Sequence, residues 1–468
     1  MATRSAGRIS RTLTPAFQVS ARHKSSMVSA GSCPVLHGTE ANVVVKDYSQ
    51  VPGPRPIPLL GNTWRFIPFV GDYRIEEVDK VSVRLHRQYG NIVKISGLLG
   101  RPDMVFLYDA DEIEKLRKDF FGDDAGVIAV HGENWYKFRT KVQQPMLQPR
   151  VSRLYIEPIS NTADEFISRV REIRDSKLEV PADFLNEIHK WSLESIARVA
   201  LDVRLGCLDG SKMQTETQEL IDAVNTFFKN VGVLELKVPF WKLFSTPTWN
   251  KYINALDKIT NISMKHISSR LEELTKDSKV EVNEKSSLVQ RVLALDPMGI
   301  DTTSAAVASI LYQLSTNGEK QEKLKEEIDR VFPGSNDEIT YQKLEEMSYL
   351  KACIKETLRM RPVVIGNGRC MTQDTVICGY NIPKGVQVVF QHYVISNSDR
   401  YFSEPEKFLP ERWLKSSKEN HHPFAALPFG YGRRMCLGRR FADLEIQTII
   451  TKVPQVRDGR ISNSNAII

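Results

Sequence analysis

No stretch of this 468-residue chain approaches the roughly 18 to 20 unbroken apolar residues that a membrane-spanning helix needs, so no transmembrane helix is expected. Close Cys-x-x-Cys pairs are missing too. The six cysteines, Cys33, Cys207, Cys353, Cys370, Cys378 and Cys436, are scattered, and the nine histidines do not gather round them at zinc-ligand spacing. A structural zinc site is therefore not expected, and in a chain of this length an even cysteine count does not imply a disulfide framework. Nor does any repeat of about 20 to 50 residues mark a solenoid or propeller. Acidic residues are absent from the first 39 positions, where Arg4, Arg8, Arg11, Arg22 and Lys24 account for most of the net charge of +7.

That distribution decides how the charge is read. A surplus confined to the leader leaves a nearly neutral body, so no nucleic-acid partner is expected. MATRSAGRISRTLTPAFQVSARHKSS is rich in Arg and Ser and lacks the apolar core of a secretory signal, which reads as a mitochondrial transit peptide over residues 1–39. A disordered basic tail is the plainer alternative. With 41% hydrophobic and 26% charged residues, the remainder has the composition of one large globular unit, residues 40–468.

VPGPRPIPLLGN (51–62) is too rich in proline for any helix and predicts a stiff, extended connector where the folded body begins. NIVKISG (91–97) and DMVFLYD (103–109) are short β-branched runs separated by Gly97, Gly100 and Pro102, the pattern of a hairpin. Apolar residues at three and four residue spacing then predict helices near 133–147, 158–174, 182–201, 214–229, 250–275, 299–316 and 318–331. Strands return in TVICGYNIPKGVQVVF (375–390), with GYNIPKG as turn chemistry. A proline-punctuated coil runs to Phe429, and a last amphipathic helix covers 437–453. The fold class is mostly α with a small β region.

One cysteine stands apart from the others. In FGYGRRMCLGRR (429–440), Cys436 lies between Gly432 and Gly438, which permit backbone turns closed to other residues and let a flat ligand approach. The helix expected directly after it offers unpaired amides and a positive dipole end, and Arg434 adds a cation, all favouring a thiolate. Two chemistries use such a sulfur: a nucleophile, which needs a base, or an axial ligand to haem iron.

The order Phe429, Gly432, Arg434, Cys436, Gly438 resembles the haem-binding loop of the cytochrome P450 superfamily. The resemblance implies a P450 fold, a haem b cofactor with Cys436 as the thiolate ligand to iron, and Phe429 packed beside the sulfur. Other segments resemble the family independently. LKACIKETLRMRP places Glu356 and Arg359 three apart on a helix face, and FLPERW supplies Arg412; in the family these make a buried network bracing the haem loop. Trp135 and Arg139 in WYKFR, Arg369 in GNGRCM, and Arg434 match family residues that meet the haem propionates. GIDTTSAAVASILYQL matches the oxygen-activation segment, with Asp301 and Thr302 relaying protons to dioxygen.

The branch, too, is what a resemblance implies, that of LKACIKETLR and CLGRR to mitochondrial members. Lys351 and Lys355, with Arg439 and Arg440, resemble the positions at which mitochondrial members dock an acidic [2Fe-2S] ferredoxin of adrenodoxin type. The resemblance, closest to arthropod members, implies a monooxygenase on the matrix side of the inner mitochondrial membrane, peripherally associated, using O2 on a lipophilic steroid or xenobiotic. Three departures stand out: Pro297 and Met298 just before Gly299, which put the start of that helix near 297; little chain after Lys115 for a substrate-covering loop; and a polar end after Lys452. They suggest an incomplete member and leave a haem-binding protein without catalytic activity as the alternative. A haem-thiolate isomerase using no external electrons is disfavoured by the retained Asp301 and Thr302.

Overall fold

The computed structural model describes residues 45–453 apart from 68, 117–138, 140–142, 144–145, 202, 211–214, 237, 277–297 and 335–336. Near the start, Val78–Tyr89 forms helix α1, which buries Val78, Val81 and Leu85 on one face and ends where Gly90 takes a φ of 88°. The β-branched runs pair as expected: β1 (Ile92–Ile95) and β2 (Met104–Leu107) are antiparallel, with Val93 opposite Phe106. β2 is wholly buried, which explains its continuous apolar run where an alternating one would mark a half-exposed strand, whereas β1 is broken by the half-buried Lys94. The proline-rich segment is not a free connector. Pro52 accepts from the Lys94 amide at 2.7 Å, and a Cβ on Gly53 would strike the Lys94 carbonyl, so its start packs on β1, while Ile57 and Gly61 pair across a tight turn and the segment is not extended throughout.

A helical body follows: α2 (Ala110–Lys115), α3 (Pro149–Arg153), α4 (Ile156–Ile173), α5 (Phe184–Leu201), α6 (Thr215–Leu236), α7 (Pro247–Lys276), α8 (Met298–Thr316), α9 (Gly318–Val331), α10 (Tyr341–Glu346) and α11 (Ser348–Met360). Six of the predicted helices are present. Of 133–147, only Arg139, Gln143, Met146 and Leu147 are described, so that expectation lies mostly outside the described residues. The upstream half of α8, the loop after Lys115 and the end after Val453 also lie outside them.

The chain after α11 departs from the sequence reading. Arg369 belongs to a strand, β3 (Asn367–Cys370), that short polar NGRC does not announce. GYNIPKG is not one turn: β4 (Thr375–Ile377) and β5 (Tyr380–Ile382) close a tight hairpin at Cys378 and Gly379, and YNI is itself strand. β6 (Gln387–Phe390) then enters the main sheet, whose order is β1-β2-β6-β3, parallel between β2 and β6 and antiparallel elsewhere. The predicted coil up to Phe429 holds a short helix, α12 (His392–Ser396), and a 3-10 turn, Pro410–Trp413. The final helix, α13, is Arg439–Lys452.

The largest apolar core gathers α4, α5, α8, α9, α11 and α13 around residues such as Phe166, Trp191, Ile310 and Ile449. A second core fills the space under the sheet. The mostly helical architecture with a small sheet is the one expected.

Candidate functional site

The loop before α13 is folded by two glycines. Gly430 and Gly432 sit at φ 71° and 70°, left-handed conformations that a side chain would strain. With the chain turned back on itself, the Cys436 amide donates to the Phe429 carbonyl at 2.8 Å and the Met435 amide to the Gly432 carbonyl at 3.1 Å. Arg434 closes the 3-10 turn Gly432–Arg434. Phe429 is half-buried against the large core, and the Cys436 side chain is exposed.

Two expectations need correction here. α13 begins at Arg439, two residues after the periodicity placed it, because Gly438 is its half-in N-cap residue. Gly438 has an ordinary φ of −80°, so its backbone does not need glycine; a Cβ there would meet nothing within 4 Å, which means open space beside the loop. Gly430 is the second conformational glycine.

Arg139 and Arg369 arrive from distant parts of the chain. Arg139 is 6% exposed and donates from Nη2 to the Met435 carbonyl at 3.0 Å, one residue before Cys436. Burial lowers the proton affinity of its guanidinium, opposed by the charge of the Cys436 sulfur. Arg369 bonds the Gly368 carbonyl at 2.7 Å, and burial acts on it in the same direction. The Nε of each arginine is buried with no hydrogen-bond partner among the described residues. A buried cation at Arg139, fastened to the Cys436 loop, and a half-buried one at Arg369 have the chemistry to hold a group with an anionic edge. Trp135 lies outside the described residues. His392, unannounced by any motif, neighbours Arg369: burial and that cation push its imidazole down to about 4, and Asn367 meets its Nε2 at 3.0 Å.

The Glu356 network forms with full burial. Arg359 grips the carboxylate with Nε and Nη2, both at 2.9 Å, and Arg412 adds Nε at 3.1 Å. The side chains of Glu356 and Arg359 are 0% exposed. The network also contains a member missed in the sequence: Trp413 donates Nε1 to Glu356 at 2.8 Å. Its position beside Arg412 in FLPERW was the available signal. Arg359 also donates to the carbonyls of Ser396 and Pro405, tying α11 to α12 and to the segment after it.

Asp301 and Thr302 lie in the first turns of α8, inside the helix. A polar seam joins this stretch to α5: His189 Nε2 stands 3.6 Å from Asp301 Oδ1, Ser192 donates to the Gly299 carbonyl at 3.5 Å, and Ser304 donates to the Ile188 carbonyl at 3.3 Å. Gly299 permits this approach, since a Cβ on it would press on Ile196 at 3.0 Å. Nothing in the spacing of the sequence pairs His189 with Asp301; the contact is purely tertiary.

Of the four predicted docking cations, Arg439 lies 3.5 Å from Asp443, and the charges of Arg440 and Lys355, both exposed, also favour the ionised form of that carboxyl. Lys351 is turned aside, bonded to Glu345 at 3.3 Å. Arg439 also lies over the Phe429 ring, 5.5 Å from its centre.

Comparison with known proteins places the chain in a family. The family pattern for Cytochrome P450 matches residues 51–455. "Probable cytochrome P450 301a1, mitochondrial" of Drosophila melanogaster is 46% identical over 90% of this chain and 84% of its own length. "Probable cytochrome P450 49a1" of the same species is 44% identical over 91% of this chain and 80% of its own. "Cytochrome P450 CYP12A2" of Musca domestica is 34% identical over 94% and 89%.

Proposed function

Because this chain belongs to the cytochrome P450 family, and is therefore a monooxygenase with haem as its cofactor, we propose that Cys436 ligates the iron and that Arg139, Arg369 and Arg434 hold the propionate edge. The observation that carries the reading is the approach of Arg139 to the Met435 carbonyl, which sets a buried cation beside the sulfur loop across 296 residues of sequence. When bound, haem supplies the activation of O2 and the transfer of one oxygen atom to the substrate. The protein's part is to hold the sulfur ionised, with the α13 N-terminus and the Cys436 amide bond fixing the loop, and to keep Phe429 packed over it. Trp135 and Gly438 complete the cofactor contacts. Glu356, Arg359 and Arg412, with Trp413, brace the loop from behind.

Protons are assigned to α8. Asp301 and Thr302 relay protons toward dioxygen, and His189, 3.6 Å from Asp301, is the buried group that stands behind them. The electron donor is a [2Fe-2S] ferredoxin of adrenodoxin type received by Lys355, Arg439 and Arg440, with Lys351 at the margin. A lipophilic steroid or foreign compound is the substrate.

The mitochondrial names of relatives and the acid-free leader support a matrix-side location, with 1–39 removed on import and 40–468 remaining as the single domain. Leu59, Phe69, Val70, Leu243 and Phe244 are exposed. Their segments neighbour the β1–β2 turn, where Gly100 touches Pro239, so they suit peripheral contact with the inner membrane.

The test is reconstitution of residues 40–468 with haem, reduced ferredoxin and a panel of lipophilic substrates. Oxygenated product dependent on ferredoxin supports the reading. Haem uptake without turnover of any substrate supports a haem-binding protein without catalytic activity.

A further inference from the structure

We propose that Asp443 is a release element in the electron-donor docking face: a carboxylate set among the cations that receive an acidic donor, keeping that donor's stay brief. The inference rests on the ferredoxin reading above, and on a residue that reading does not use.

The first turn of α13 carries Arg439 and Arg440 and no acid. The helix dipole disfavours cations there, so their placement is not explained by helix stability. One turn later, Asp443 Oδ2 lies 3.5 Å from Arg439 Nε. An arginine on the N-terminal side of its acid is also the weaker orientation for such a pair. The charges of Arg440 and of Lys355 on α11 also act on this carboxyl, so one acid sits in the field of three cations from two helices. Burial nevertheless leaves that carboxyl above its ordinary value, and its side chain remains 32% exposed, open to the face on which a partner would sit.

An acidic donor meets this arrangement in two stages. At a distance it experiences the surplus of three cations over one acid, which steers its approach. In contact, its carboxylate competes with Asp443 for Arg439 and is repelled by the charge it displaces. Arrival is therefore fast while residence is short, and differences in affinity between related complexes lie mostly in the dissociation rate. A carrier that delivers single electrons must leave before the next arrives, and Asp443 supplies the local repulsion that lets it.

The experiment uses haem-loaded protein and an adrenodoxin-type [2Fe-2S] ferredoxin, with equilibrium affinity and dissociation rate measured for wild type and Asp443→Asn. The expected result is a dissociation constant lowered about threefold to fivefold, mainly through slower release. Because Asp443 acts through Arg439, the gain disappears when Asp443→Asn is made together with Arg439→Gln, and Asp443→Glu behaves as wild type. The reduced, CO-bound absorption band, unchanged in all variants, reports an intact Cys436 loop. Unchanged or weaker binding by Asp443→Asn with that band retained overturns the inference, as does an equal gain in the Arg439→Gln background. Failure of the wild type itself to bind ferredoxin removes the donor reading and this inference together.

Discussion

Arg139 Nη2 donates to the carbonyl of Met435 at 3.0 Å, fastening a residue from the first third of the chain to the turn that presents Cys436. The contact gives the sulfur loop a fixed partner outside its own helix. It also spends only part of the guanidinium, since Nε has no hydrogen-bond partner among the described residues.

Replacing this arginine tests both functions. Arg139→Gln removes the loop's anchor and one cation of the propionate edge, and haem dissociation is expected to accelerate by about tenfold or more. Transfer of haem to an acceptor protein measures it; a rate equal to wild type contradicts the assignment.

Glu356 accepts from two arginines, the indole of Trp413 and the Leu409 amide, all around one buried carboxylate. Breaking such a group leaves buried charge unmatched. Glu356→Gln is expected to cost on the order of 3 to 5 kcal/mol in stability. Trp413→Phe loses one charge-assisted bond and costs about 1.5 to 3 kcal/mol. Denaturant unfolding ranks the two, and a neutral Glu356→Gln refutes the structural role.

How much of this could be read from the chain depends on the range of the interaction. Helices α4 to α9 follow from apolar residues recurring at three and four residue spacing, a local signal. The Phe429-to-Gly438 spacing is local and was legible. β3 was missed because NGRC carries no β-branched signal and becomes a strand only by pairing with β6. Gly430 went unnoticed because its demand for positive φ arises from how the loop closes. His189 and His392 belong to contacts between elements far apart in sequence, and no local pattern encodes them.

A buried acid predicts a pH effect. Burial raises the Glu445 carboxyl to about 7 from 4.5, partly offset by the Ser195 hydroxyl 2.8 Å away. The folded state holds this proton more tightly than the unfolded chain. Its contribution is complete below pH 4.5 and is lost as pH rises through about 7, a decline of about 3 kcal/mol. Glu445→Gln removes that decline, so the variant gains on wild type as pH increases. Unfolding curves across the window check it; parallel curves would refute the burial account.

Thr302 lies beside Asp301 in α8, where a hydroxyl can pass a proton. Thr302→Ala is expected to leave the haem spectrum unchanged while product formed per electron pair falls by at least about tenfold. Unaltered coupling, measured as product against ferredoxin oxidised, excludes Thr302 from the relay.

The most direct measurement is the absorption spectrum of reduced, CO-bound protein, wild type against Cys436→Ser. The wild type is expected to show the red-shifted Soret band of thiolate ligation, and the variant to bind haem without it. A thiolate band surviving in Cys436→Ser, or an imidazole-type band in the wild type, contradicts the assignment of Cys436 as the iron ligand.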